Sequence, residues 1–252
     1  MKASIFLVAV SALILGGTAL AQTAPAPTPG APAAPRPAKT FKALTAEDVD
    51  PSKLLPPPVA DDSVRFKLEL AEVQNAYRNS TPERKAQAAW DDSHEDANIF
   101  AATLGPAFDL TKLPETAKLL KLLENDQSVA ANVAKRYFLR LRPWYFDADM
   151  KPCDYKPGAN PKTSYPSGHA TLGYSVGYLL ANLIPEKAQI IEARARDYAY
   201  SRLVCGDHFA SDVEASHVLG VVTSVKLMEK PDVAPMIAAA RKELKAAGLT
   251  AQ

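Results

Sequence analysis

Four histidines bound the chemistry this chain can perform: His94, His169, His208 and His217. His169 closes the run Tyr165-Pro166-Ser167-Gly168-His169. Pro166 ends an extended stretch, and Ser167-Gly168-His169 opens a helix, where free backbone N–H groups and the positive dipole end attract anions. Gly168 lets an anion approach the backbone, and Ser167 either caps the helix or turns its hydroxyl to the anion. An ordinary capped helix with a buried histidine accounts for this run equally well. His208 and Asp212 stand four apart, so on a helix they share a face. A carboxylate on one imidazole nitrogen fixes the tautomer and frees the other as a base or nucleophile, although a salt bridge at a helix start has the same pattern. Lys135 and Arg142 are seven apart, about two helical turns, so one helix points both to one side. With Arg202 they make a cluster of three cations. Any one of them alone reads as a solvated surface charge; their joint spacing with the histidines is what points to anion chemistry.

These residues need a frame, and the periodicity supplies a helical one. Phe66, Leu70, Val73 and Tyr77 mark one face of a helix opening at Asp62 or Ser63. Ser80-Thr81-Pro82-Glu83 has a capping-box pattern with proline in the first turn. Further helices are predicted over 93–104, 114–125 and 126–141, then a loop rich in proline, glycine and lysine over 143–166. Residues 167–184 are apolar on every side, which predicts a buried helix whose small residues admit close neighbours. Helices over 185–203, 208–229 and 232–247 complete an all-α, single compact domain with a buried central helix. The charges along 185–203 argue against a membrane span.

The chain has 252 residues, is 47% hydrophobic and 23% charged, and carries a formal net charge of +1. That excludes a wholly disordered chain and gives no basic field for nucleic acid. Lys2, the apolar run Ile5–Leu15 and Ala19-Leu20-Ala21 read as an export signal over 1–21. A proline- and alanine-rich tether follows over 22–40, and the helical domain is expected over 41–252. Leu54-Leu55-Pro56-Pro57-Pro58 reads as a strap across that domain. Export implies a periplasmic or secreted protein and permits a disulfide, for which Cys153 and Cys205 are the only pair.

Lys135-x6-Arg142-Pro143, then Pro166-Ser167-Gly168-His169, then Ser201-Arg202-x5-His208-x3-Asp212 resembles the three-part signature of the type-2 phosphatidic acid phosphatase superfamily, which also holds the vanadium haloperoxidases. The strap, the export signal and the helical domain are similar to the bacterial class A non-specific acid phosphatases, and the similarity spans about residues 41–230. His217 and Ala170 depart from the residues frequent in that group. The resemblance implies phosphomonoester hydrolysis of broad specificity through a phosphohistidine. His208 would be the nucleophile oriented by Asp212, and His169 the general acid and then base. Lys135, Arg142, Arg202, Ser167 and Gly168 would bind the phosphoryl oxygens. His208 would have to be neutral while His169 is protonated, which implies an acid to mildly acid optimum.

Three cations and a helix N-terminus supply transition-state charge without Mg²⁺, so no metal or other cofactor is expected. A Cys-x5-Arg loop is excluded because positions 159 and 211 are alanine and serine, and no Arg-His-Gly motif is present. Small phosphomonoesters are the expected partners, with neither nucleic acid nor a membrane span in the mature chain, and with a homodimer as the expected assembly. Three alternatives compete: phosphotransfer to alcohols or nucleosides, vanadate-dependent haloperoxidation, and phosphate binding without turnover. His94 and His217 read as structural or surface residues. Tyr165 and Trp144-Tyr145-Phe146 read as core, with an entrance lining as the alternative.

Overall fold

The computed structural model describes residues 39–251. The expected signal at 1–21 and nearly all of the tether at 22–40 lie outside the described residues. Every regular element within them is helical: α1 (Pro51–Leu54), α2 (Val64–Asn79), α3 (Pro82–Ser93), α4 (Ala101–Leu104), α5 (Pro114–Phe138), α6 (Pro143–Phe146), α7 (Gly168–Leu183), α8 (Ala188–Val204), α9 (Ala210–Met228) and α10 (Ala234–Ala246). Two 3₁₀ turns, Ala97–Phe100 and Pro185–Lys187, precede α4 and α8.

The apolar run predicted to be buried becomes α7, and none of its residues is exposed. It packs against α8 on one side and α9 on another, with α5 also in contact. Its small residues set those distances. A Cβ on Gly173 would lie 2.7 Å from the Tyr198 ring of α8, and one on Gly220 of α9 would lie 2.8 Å from the Thr171 carbonyl oxygen of α7. Leu119, Leu120, Leu123, Leu172, Leu179 and Leu180 fill the core between α5 and α7. Each such side chain contributes about 1.5–3 kcal/mol by leaving water. Helices α2 and α3 pack on α8, and α10 packs on α5.

Ahead of the strap, the buried Asp126 carboxylate accepts the backbone N–H groups of Lys42, Ala43 and Leu44 at 2.8–2.9 Å. Leu54 ends α1, and the strap proper is held at the two residues that follow it. Leu55 is buried, and the Pro56 carbonyl accepts the Tyr165 hydroxyl at 2.8 Å.

Four local expectations change. The predicted helices at 114–125 and 126–141 are one helix that stops at Phe138, because Leu139 adopts a left-handed conformation (φ 52°) and its N–H closes on the Lys135 carbonyl. The helix predicted over 93–104 divides into the end of α3, a 3₁₀ turn capped by the Asp96 carboxylate, which accepts Asn98 N–H, and the single turn of α4. Thr81 caps α3 through Arg84 N–H, but Glu83 falls one place early for a capping box. The helix predicted from 208 begins at Ala210, so His208 lies before it.

Candidate active site

Lys135 and Arg142 do converge, though not along one helix face. After the left-handed turn at Leu139 the chain doubles back, and Arg142 sits at the start of α6. Both cations are gathered on the loop segment 161–163. Lys135 Nζ donates to the Thr163 carbonyl at 2.5 Å, and Arg142 Nε donates to Thr163 Oγ1 at 3.1 Å. Arg142 N–H donates to the Pro161 carbonyl at 2.9 Å.

Arg202 arrives from the last turn of α8 and is 2% exposed. Its Nη2 meets Asp92 and Asp207 at 2.6 Å each, and the other Asp207 oxygen meets Arg142 Nη1 at 3.0 Å. One carboxylate therefore ties the two guanidinium groups together. Arg202 Nε and Nη1 are buried with no hydrogen-bond acceptor among the described residues. Unsatisfied buried donors cost about 1–3 kcal/mol each, so these two are suited to an anion supplied from the cavity.

The N-terminus of α7 follows a cis Tyr165–Pro166 bond. Ser167 Oγ accepts Ala170 N–H at 3.3 Å, and Ser167 N–H donates to Ser216 Oγ at 2.9 Å. Ser167 thus caps α7 from behind the cavity wall, while Gly168 and His169 line it. His169 Nε2 lies 3.0 Å from the Asp92 carbonyl. A carbonyl only accepts, so Nε2 carries the hydrogen, and Nδ1 is the nitrogen that gains or gives a proton. Nδ1 lies 3.9 Å from the Glu95 carboxylate.

His208 Nδ1 lies 3.5 Å from Asp212 Oδ2. The pair forms across the start of α9 rather than along its face, because the Asp212 carboxylate folds back to accept Phe209 N–H at 2.8 Å. Arg140 and the Ser164 hydroxyl fix that carboxylate at 2.6 Å each, and Arg140 also holds Glu69 at 3.0 Å. With Nδ1 toward Asp212, Nε2 is the ring nitrogen that can face the cavity His208 lines. That cavity, about 270 Å³, brings together Lys135, Arg142, Arg202, Gly168, His169 and His208; Asp212 and Ser167 stand behind them.

Burial first, and then the charges of this cradle, govern protonation. Burial, then Arg202, lowers the His169 imidazole to about 3. Burial, then Arg142, takes His208 well below the usual histidine range and brings Lys135 down to about 7. Burial raises the Asp212 carboxyl against the pull of Arg140. A neutral His208 suits a nucleophile. The protonated His169 expected from the sequence instead requires the negative charge of a bound substrate to reverse the push of the cations.

Cys153 and Cys205 form a disulfide, which fastens the 143–166 loop to the end of α8. Among the described residues, Asp92, Cys205 and Asp207 approach one another within metal-binding reach. The Cys205 sulfur is in the disulfide and both carboxylates hold Arg202, so this donor set does not fit a cation. Tyr165 is core, and Phe146 packs on Phe66 with ring centroids 4.8 Å apart. Trp144 and Tyr155 border a small recess beside Arg142. His94 stacks on Trp90 and His217 on Tyr174.

Residues 125–231 match the PAP2 superfamily. An acid phosphatase of Zymomonas mobilis is 34% identical over 183 residues, 69% of this chain and 69% of its own. A non-specific acid phosphatase of Salmonella typhimurium is 31% identical over 204 residues, 79% of this chain and 81% of its own. The chain belongs to the PAP2 superfamily, among its acid phosphatases. A non-specific acid phosphatase of Providencia stuartii, 29% identical over 204 residues, covers 79% of this phosphatase and 82% of itself. The matched span contains both histidines and all three cations of the cradle.

Sequence reasoning missed the acids and the arginine that organise this phosphatase. Asp207 lies inside the motif, between the required Arg202 and His208, and an acid at that place was a readable signal. Arg140 is two residues from Arg142 and reads as one more surface cation. Asp92 and Glu95 gave no signal, since they enter from the end of α3 only when it packs on α8.

Proposed function

We propose that this phosphatase hydrolyses phosphate monoesters of broad range without a metal ion, through a phosphohistidine on His208. The observation that carries the reading is the buried Arg202, with two unsatisfied N–H groups, on the same cavity as the His208 ring. Arg202, Arg142, Lys135 and the backbone at Gly168 take the phosphoryl oxygens, where the charge of the transition state lies. The His208 Nε2 lone pair forms the N–P bond as the ester P–O bond breaks, and His169 Nδ1–H gives its proton to the leaving oxygen. Water then attacks phosphorus, its proton passes to His169 Nδ1, and the N–P bond breaks to release phosphate. The Asp212 carboxylate, 3.5 Å from His208 Nδ1 and not hydrogen-bonded to it in this structure, favours the proton on that nitrogen. The sequence at 1–21 and the disulfide support a periplasmic or secreted setting.

The test is hydrolysis of p-nitrophenyl phosphate by the purified chain in excess EDTA, beside His208→Ala. Turnover is expected to survive EDTA and to fall by roughly 10⁴-fold in the variant. Rapid quenching with ³²P-labelled substrate should trap an acid-labile, base-stable label that His208→Ala lacks. A label elsewhere, or activity that EDTA removes, rejects the mechanism. Phosphorylation of an added alcohol would show transfer alongside hydrolysis.

A further inference from the structure

A second cavity, about 290 Å³, opens beside the cradle. Lys39, Lys42 and Lys121 line it, while Glu95, Gln127 and Ser128 belong to both cavities and form their common wall. The lysine ion pairs among the described residues fall at Lys53, Lys112, Lys226 and Lys230, and none involves these three. The groove also holds the Glu124 carboxylate, which accepts Ala97 N–H at 2.8 Å. Burial raises the Glu95 and Glu124 carboxyls, which lessens their negative charge at mildly acid pH.

The position of this groove relative to the chemistry gives it a role. His169 Nδ1 would protonate the leaving oxygen, and the carboxylate nearest to it is that of Glu95, on the shared wall. The leaving group therefore departs on the side of the three lysines. Resting on the phosphohistidine reading, we propose that Lys39, Lys42 and Lys121 form a second anion subsite, which selects phosphomonoesters whose alcohol carries another phosphate. A wall of three side chains separates the two cavities, so the class is a bisphosphate on a short carbon frame rather than a diphosphate. Isolated surface lysines are normally solvated and contribute little. Three in one concave groove, none of them in an ion pair among the described residues and facing two carboxyls that burial makes easier to protonate, sum their fields on a bound dianion.

The experiment compares fructose 1,6-bisphosphate with fructose 6-phosphate, and p-nitrophenyl phosphate as a substrate with one anionic group. At low salt the wild type should favour the bisphosphate in kcat/KM by about tenfold or more, equivalent to about 1.4 kcal/mol. In K39Q/K42Q/K121Q that preference should shrink to about twofold, the statistical advantage of two ends, with p-nitrophenyl phosphate turnover unchanged. Added salt should shrink it likewise. Equal handling of both sugars by the wild type, or a preference that survives in the triple variant, overturns the subsite. Calorimetric binding of both sugars to His208→Ala separates the two readings. Tighter bisphosphate binding that depends on the lysines supports the subsite even if no ester is hydrolysed, whereas turnover without differential binding leaves the phosphatase and removes the subsite.

Discussion

At the scale of residues, the cradle is a set of buried, mutually repelling groups whose protonation would respond to an anion bound as proposed. Burial and mutual repulsion press protons off Lys135 and His169. A bound dianion favours the protonated forms, so binding raises both values and takes up protons. Affinity is then greatest at low pH and declines as pH rises through the free-protein value, which for Lys135 is about 7. Sulfate keeps its charge in this range and makes a clean probe. Its association constant should fall by up to about tenfold per pH unit above pH ~7, and Lys135→Met should bind more weakly and lose that slope. Calorimetry decides, and a pH-independent constant in the wild type would show that Lys135 does not contact the anion. The cations and histidines were readable from residue type and spacing. Arg140 was not, because its importance lies in neutralising Glu69 and Asp212 inside the fold, which nothing in its neighbourhood along the chain announces.

At the scale of elements, motif positions meet through helix ends rather than helix faces. Lys135 and Arg142 converge because Leu139 turns left-handed, and His208 meets Asp212 because α9 starts between them. Periodicity located the helices well but misplaced these ends, since a leucine with positive φ has no intrinsic preference for it. The composition of α7 was more informative, because a run that is apolar all round and rich in small residues has few ways to pack other than at the centre. Gly220 tests that packing. Gly220→Ala puts a Cβ 2.8 Å from the Thr171 carbonyl oxygen and 3.0 Å from the Ser175 nitrogen. Backbone cannot yield as a side chain does, so the variant should lose about 1–3 kcal/mol. Thermal unfolding should show this as a lower Tm. Turnover should fall with it, because the first turns of α7 and α9 carry His169 and Asp212. An unchanged Tm would mean that the two helices are not held at this distance.

At the scale of the whole molecule, the long loop between the first two motifs is secured at separated points. Thr163 is bonded by Lys135 and Arg142, Asp147 is held by Arg78 and Gln74, and Cys153 is joined to Cys205 across 52 residues. Closing a loop of that length removes about 4 kcal/mol of chain entropy from the unfolded state in the simplest treatment. Cys153→Ser/Cys205→Ser should therefore unfold at lower denaturant, with a loss of about 2–4 kcal/mol. A loss below about 0.5 kcal/mol would show that the remaining contacts suffice. The pairing itself was legible from the presence of only two cysteines behind an export sequence.

Asp92 and Asp207 have a consequence for the end of the catalytic cycle. Arg202, Arg142 and Lys135 would by themselves present three positive charges to a phosphate dianion. The two carboxylates offset most of that charge while leaving donor directions intact. A cradle of full charge would grip inorganic phosphate as firmly as it grips the reacting group, and such indiscriminate affinity slows turnover instead of raising it. In the proposed mechanism the acids therefore ease release and help set how strongly the product inhibits.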